Sequence, residues 1–337
     1  MEDINKINIK VLDKNTELGN SRLEFKISSK NINYVVMNTL RRTCMSDIPI
    51  YAFNEFKFDK NNAIFHNNYL KLRLRQMPVW AIDNTIDYIE NNTSNKNDIN
   101  DEEEDNILQN DGDEVQLDVD KNLNTSSLKQ LTMYINHKNK ENNIITVTSE
   151  HAKFYYEEKQ ISSPYKTAIP IVKLQPNQEI AFSAITKIGT EQEDAMFSAV
   201  CICVYKQIND NEFDFIIESR GQITEKRILQ VAIINIERKL KNFLKLIQEK
   251  SDIDKDKSSG VIIVNNEDHT LGNIISKGMQ DHKMITFAGY KLTHPLVKKV
   301  NIEYKLNKDG NIKQVIKDVV EYYLELFSEI NKSINSI

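Results

Sequence analysis

Apolar and polar residues alternate over two short runs near the start of the chain, Ile7, Ile9, Val11 and then Leu23, Phe25, Ile27. A period of two is the pattern of a strand with one face buried. Ile32, Val35, Val36, Thr39 and Leu40 then recur at helical spacing. Asp47-Ile48-Pro49 ends that helix, because proline restricts the residue before it and cannot continue the hydrogen-bond ladder. Phe56 and Phe58 open a new alternating run. The order to about Phe58 is therefore strand, strand, helix, strand.

From about Asp83 to Ser127 the pattern is lost. Asn91-Asn92-Thr93-Ser94-Asn95 leads into Asp101-Glu102-Glu103-Glu104-Asp105, with few large apolar residues between. Such a stretch cannot bury enough surface to offset its ordering entropy, so it reads as an acidic loop, either a solvated insertion or an interaction segment. Periodicity returns near Leu131. Ile144, Ile145 and Val147 suit a strand, Ile169-Pro170-Ile171-Val172-Lys173-Leu174 a proline-interrupted edge, and Ala199 to Tyr205 a continuous apolar strand. Cys201 and Cys203, two apart on that strand, are expected on one of its faces. Phe213 to Ile217 is a further short strand, and Gly221 marks a turn.

A long helix follows, capped by Thr224 and running to about Lys250. Its stripe is Ile228, Val231, Ala232, Ile236, Leu240, Phe243, Leu244 and Ile247, and Leu229, Ile233 and Ile234 widen the arc. A helix apolar over so much of its circumference needs partners on more than one side. The polar stretch 251–260 reads as a linker. Beyond it the opening order returns in miniature. There is a strand at Val261 to Val264 and a helix with Leu271, Ile274, Ile275 and Met279. Ile285 to Ala288 is extended, and Val300, Ile302, Tyr304 and Leu306 alternate. A last helix carries Ile312, Val315, Ile316, Val319, Tyr323, Leu324, Phe327 and Ile330.

Composition narrows the classes. The chain has 337 residues, 40% hydrophobic and 28% charged, with a net charge of -5. That supports two or three cores and disfavours a protein that holds nucleic acid mainly by its own surface. Three cysteines, Cys44, Cys201 and Cys203, form no CxxC, so no zinc ribbon or disulfide framework is legible. The first residues do not form a signal peptide, and no run is apolar enough to span a membrane. Frequent Asn, Ile and Lys suggest an AT-rich genome. No phosphate-binding glycine loop and no hydrolase, zincin or kinase signature occurs. His269, His282 and His294 lack ligand spacing and fit helix starts or turns. Asn38-Thr39-Leu40-Arg41-Arg42 is either a basic face at a helix C-terminus or a guanidinium pair that docks on another protein.

One set of residues carries a resemblance. Glu267-Asp268-His269-Thr270-Leu271-Gly272-Asn273, Phe287-Ala288-Gly289-Tyr290-Lys291 and His294-Pro295-Leu296 resemble the L-type, smaller alpha-like subunit of multi-subunit RNA polymerases. The N-terminal part, over most of its length, resembles the larger D-type partner. The resemblance rests there on Asn38 to Arg42 with Asp47-Ile48-Pro49, on Ile169 to Leu174 with Gln178-Glu179-Ile180, and on Gly189 with Ala195 to Val200. Phe215 to Gly221 and the long helix complete it.

The resemblance implies an α+β alpha-like dimerisation fold split by an inserted, mostly β domain, with a second α+β module fused behind it. The dimerisation domain would occupy 1–57 and 205–250, the inserted domain 58–204 with its acidic loop at 83–127, the linker 251–260, and the second module 261–337. Leu40, Val231, Leu240, Leu271, Ile274, Ile275, Val319 and Phe327 would line the interface between the halves. Gly272 and Gly278 would allow close helix approach. Asn38, Arg41 and Arg42, and secondarily Lys291, His294 and Pro295, would meet partners. Those partners would be the two large catalytic subunits and a small zinc-binding subunit of the N or P type, with DNA reached only indirectly.

Some D-type subunits carry a cysteine cluster in the inserted domain. This chain has none there, so no metal and no cofactor is carried over. Fusion of the halves departs from the cellular relatives, which are separate chains. With the AT-rich composition it points to a large DNA virus, and so to host cytoplasm, the viral factory and the virion. The chain would then be a non-catalytic assembly scaffold. The alternatives are a transcription regulator outside the polymerase and a small carboxylate hydrolase; the latter needs a buried, pKa-shifted carboxylate pair.

Overall fold

The structure is a computed structural model and describes residues 4–17, 21–80, 82, 114–117, 130–157, 159–249, 258–294, 297–307 and 311–337. The chain begins with strands β1 (Asn8–Asn15) and β2 (Arg22–Ser28), helix α1 (Tyr34–Ser46), strand β3 (Ile50–Asn61) and helix α2 (Asn67–Arg75). Strands β4 (Glu114–Leu117), β5 (Leu131–Lys138), β6 (Ile145–Thr148), β7 (Ala152–Tyr156), β8 (Lys159–Ile161), β9 (Pro170–Leu174) and β10 (Glu179–Gly189) follow. Strands β11 (Val200–Asn209) and β12 (Glu212–Ser219) lead into helix α3 (Glu225–Glu249). The last part holds β13 (Ser259–Asn265), α4 (His269–Gln280), β14 (Ile285–Leu292), β15 (Lys299–Leu306) and α5 (Ile312–Asn335).

The first sheet has the order β1-β2-β12-β11, so strands from either side of residues 50–189 lie side by side. Phe25 stands opposite Phe215 across that junction, their rings stacked 5.3 Å apart. The intervening residues form a second sheet, β3-β10-β5-β7-β8, with α2 against it and the β6-β9 pair beside it. This middle part has its own core around Phe53, Leu70, Met133, Phe154, Leu174 and Phe182. The change of core happens inside β3: Ile50 and Ala52 belong to the first core, Tyr51 and Phe53 to the second. The expected boundary at 57/58 lies further along that same strand. On the return, Met196, Phe197 and Val200 already belong to the first core, ahead of the expected resumption at 205.

The third sheet is β14-β15-β13-β4. β4 comes from within the stretch expected to be an acidic loop, and its backbone pairs in parallel with β13, Val115 opposite Ile262. The rest of the stretch 83–127 lies outside the described residues. α2 is also unforeseen: its apolar positions are too few to stand out as a stripe, and only Leu70 and Leu74 are buried. The cysteines behave differently from their spacing. The register of β11 against β12 breaks between Val200 and Ile202. That bulge re-aims one residue, leaving Cys201 exposed while Cys203 is buried.

α1 packs on α3 and α4, and α3 and α4 both pack on α5. These four helices form one shared layer between the first and third sheets. A single apolar cluster runs through it, from Phe25 and Leu40 through Leu240 to Ile275 and Phe327. No described helix is long and apolar enough to cross a membrane.

Candidate assembly interface

Leu40 of α1, Val231 and Leu240 of α3, Leu271, Ile274 and Ile275 of α4, and Val319 and Phe327 of α5 are each at most 3% exposed and share the one cluster. Full burial of a side chain of this size is worth about 1.5–3 kcal/mol, so the layer joins the two parts of the chain firmly. The two glycines play distinct parts. At Gly278 an added Cβ would fall 2.5 Å from Val319 Cγ1 and 2.7 Å from Tyr323 Cε2, so glycine lets α4 close on α5. At Gly272 it would fall 2.6 Å from Tyr290 Cδ2 and 2.8 Å from Val300 Cγ1. That approach is to the module's own sheet, not to another helix.

Polar groups from both parts meet beside this apolar layer. α1 starts at Asn33, whose side chain accepts from the Val35 and Val36 amides, and stops at Asp47. α4 starts at Asp268, whose carboxylate accepts from the Thr270 amide at 2.7 Å. These two helix ends come together. Arg42 Nη2 donates to Asp268 Oδ2 at 2.9 Å, and Arg42 Nε donates to Thr270 Oγ1 at 3.0 Å. Lys239, midway along α3, reaches Asp47 Oδ2 at 2.7 Å and Glu267 Oε2 at 3.9 Å. Gln192 Nε2 donates to Asp47 Oδ1 at 2.5 Å, Asn235 Nδ2 donates to the Asp47 carbonyl at 3.0 Å, and Lys298 Nζ donates to Gln192 Oε1 at 3.0 Å.

The cluster is charge-sorted. Burial by itself would lower the Lys239 ammonium; Asp47, Glu267 and Asp268 outweigh it and hold it above the ordinary lysine range. Burial, with Asp268 and Asp47 nearby, pushes the Glu267 carboxyl up to about 7, against the pull of Lys239. Asp268 is also raised by burial, but Lys239, the Thr270 bonds and Arg42 bring it below the usual carboxylate range. An isolated buried charge is very costly, so Lys239 depends on Asp47 within its own part and on Glu267 across the junction, and Asp268 on Arg42 across it.

Arg42 is therefore engaged within the chain. Arg41 points elsewhere: its guanidinium donates to Asn38 Oδ1 at 2.9 and 3.1 Å and lies 3.1 Å from Met45 Sδ. Lys291 pairs with Glu303 at 2.7 Å on the exposed third sheet. His294 is exposed in the turn after β14, and Pro295 lies outside the described residues. His269 opens α4, and His282 follows it in a turn, 3.3 Å from Asp318. No group of His, Cys, Asp and Glu suited to a metal occurs among the described residues.

Sequence patterns missed Lys239, Asn235 and Gln192. The only trace of Lys239 is a lysine inside an apolar arc, between Ile236 and Leu240. Arg220 and Gln222 were missed as well, and they tie the middle part to the rest. Arg220 donates to the Met196 and Gln76 carbonyls, and Gln222 to those of Tyr51 and Val79.

Comparison with known proteins places this geometry. A protein of Acanthamoeba polyphaga mimivirus, provisionally described as a DNA directed RNA polymerase subunit, is 24% identical over 96% of this chain and 92% of its own length. DNA-directed RNA polymerase II subunit rpb3 of Dictyostelium discoideum is 25% identical over 59% of this chain and 60% of its own length. DNA-directed RNA polymerase II subunit RPB11 of Schizosaccharomyces pombe is 32% identical over 23% of this chain and 62% of its own length. The chain thus spans less than two thirds of each cellular relative, in two successive stretches. The family model described as the RNA polymerase Rpb3/Rpb11 dimerisation domain matches residues 26–240, and a second model of that description matches 259–333. With most of its length matched in this way, the chain belongs to the Rpb3/Rpb11 dimerisation-domain family and holds both kinds of module in one polypeptide.

Proposed function

We propose that this chain is a non-catalytic assembly subunit of a DNA-directed RNA polymerase, an alpha-like heterodimer made within one polypeptide that holds the two large catalytic subunits. The observation that carries this reading is the packing of α1 and α3 against α4 and α5 through one apolar cluster. In this reading the chain contributes no reacting group. It offers a preformed platform, and DNA is met only through the partners. A small zinc-binding subunit is a further partner. The mimivirus relative, alike over nearly the whole chain, supports a viral polymerase; work in the host cytoplasm and viral factory and a place in the virion belong to the same proposal.

Arg41 is the better candidate for contact with a large subunit, because Arg42 is committed to Asp268 and Thr270. The division of roles within the chain is proposed as two dimerisation parts flanking an inserted domain, joined by the segment 251–260. A tagged chain recovered from its native source tests the reading. Both large subunits are expected with it, together with template-dependent RNA synthesis. Recovery alone, or with non-polymerase proteins only, would instead favour a free-standing regulator.

A further inference from the structure

A sheet edge presents unpaired backbone groups, and proteins usually blunt such edges with charge or bulges. The first sheet has two edges, β1 and β11. β1 is blunted: Lys10, Asp13 and Lys14 are exposed on it, and its register breaks between Val11 and Asp13. β11 is blunted less: Lys206 is its one charged residue, its irregularities lie near its ends, and the register is even from Ile202 to Gln207. On the outer face of that stretch Ile202 and Val204 are 41% and 46% exposed. Further into the same face the sheet is closed by charge pairs, Arg22 with Glu218 at 3.0 Å and Lys26 with Glu212 at 2.6 Å. None of these pairs involves a residue of β11.

α1 flanks this edge. The Cys203 thiol turns inward and donates to the Arg41 carbonyl at 3.7 Å, so the helix lies against β11. α3 and α4 take other sides of α1. What remains outward is Tyr34, Asn38, Arg41 and Met45, one stripe at helical spacing, with Tyr34 54% and Met45 37% exposed. Arg41 has no carboxylate within ion-pairing distance among the described residues; its guanidinium is held by an amide oxygen and a sulfur.

We propose that β11 receives an extended segment of another polymerase polypeptide by strand addition, with apolar residues against Ile202 and Val204 and a carboxylate that reaches Arg41. Main-chain bonds would supply the affinity, and the alternating side chains and the acid the specificity. A strand laid beside β11 would run at the foot of the α1 stripe, which makes edge and stripe one surface. The inference rests on the reading of the chain as a polymerase subunit and adds to it how the partner is held.

Hydrogen exchange tests it. The full chain alone is compared with the complex formed by co-expression with the two largest polymerase subunits of the same source. Alternate amides between Ile202 and Gln207 are expected to exchange at least about tenfold more slowly in the complex. Ile202→Lys with Val204→Lys, and separately Arg41→Glu, are expected to leave the melting of the free chain unchanged and to reduce recovery of the complex about tenfold. The exchange comparison uses the unaltered chain, so it stands even if a variant folds poorly. A complex in which β11 exchanges as it does in the free chain would overturn strand addition and leave the subunit reading intact. Failure to join any polymerase subunit would overturn both.

Discussion

Lys239 occupies a place on α3 where the apolar stripe calls for another Ile or Leu. Its side chain is 19% exposed, and its charge is balanced by Asp47 and Glu267 on the far ends of two other helices. Breaking one partner of such a set leaves the others uncompensated, which costs about 3–5 kcal/mol. Lys239→Met is therefore expected to destabilise the chain by about 3 kcal/mol in urea unfolding. Arg42→Ala, at a pair that is a third exposed, should cost only about 1 kcal/mol. Equal losses for the two would contradict this account.

Glu267 adds a pH signature. Its carboxyl sits near 7 in the fold and near about 4.3 in an unfolded chain. Between those values the native state binds more protons, so stability falls as pH rises, and the loss is complete above about 7. Glu267→Gln should remove that slope. The variant is expected to gain up to about 3 kcal/mol on the parent between pH 5 and pH 8. Parallel curves of unfolding free energy against pH would refute the assignment.

Helix α4 shows what an element's pattern reveals and what it hides. Its stripe Leu271, Ile274, Ile275 and Met279 is legible because burial on one side imposes the 3.6-residue period. Its start is legible only to within two residues, since Asp268 or Thr270 could cap it, and the structure puts the cap at Asp268. The use of Gly278 is only half legible: glycine signals a close approach without naming the neighbour. With Val319 and Tyr323 so near, Gly278→Ala should force α4 and α5 apart and cost about 2 kcal/mol. Gly289 is the control. A Cβ there would meet Phe287 at 3.4 Å, an ordinary contact. Gly289→Ala should be neutral or gain about 0.5 kcal/mol by restricting the unfolded chain. Thermal melts of both separate close packing from backbone entropy. The elements that escaped the sequence reading share a physical reason. α2 buries only two apolar residues, and β4 is too short for its period to show. The Cys201 bulge is a matter of register, which a single strand's sequence does not carry.

At the scale of the molecule, two unequal modules face each other through helices, and the covalent connection between them is a separate matter. The echo of elements across the polar segment 251–260 was readable because each module must present its own helical face to a core. Which charges cross the junction was not, because Arg42 and Asp268, like Lys239 and Glu267, are far apart in sequence and meet only after folding. The contacts that cross the junction join α1 and α3 to α4, α5 and the turn ahead of α4, and the segment 251–257 lies outside the described residues. A protease site introduced there should therefore be cut without parting the modules, and the two fragments should elute together from a sizing column. The connection matters through concentration: a short tether is equivalent to about millimolar partner. Once it is cut, pairing depends on the concentration of the fragments. Adding Arg42→Ala, which removes the bonds to Asp268 and Thr270 across the cut, should then lower the affinity of the fragments about fivefold, the equivalent of about 1 kcal/mol. At micromolar concentration the parent fragments should stay together while the variant fragments separate on dilution. Separation of the parent fragments at that concentration would mean that the tether, and not the four-helix layer with its charges, holds the halves together.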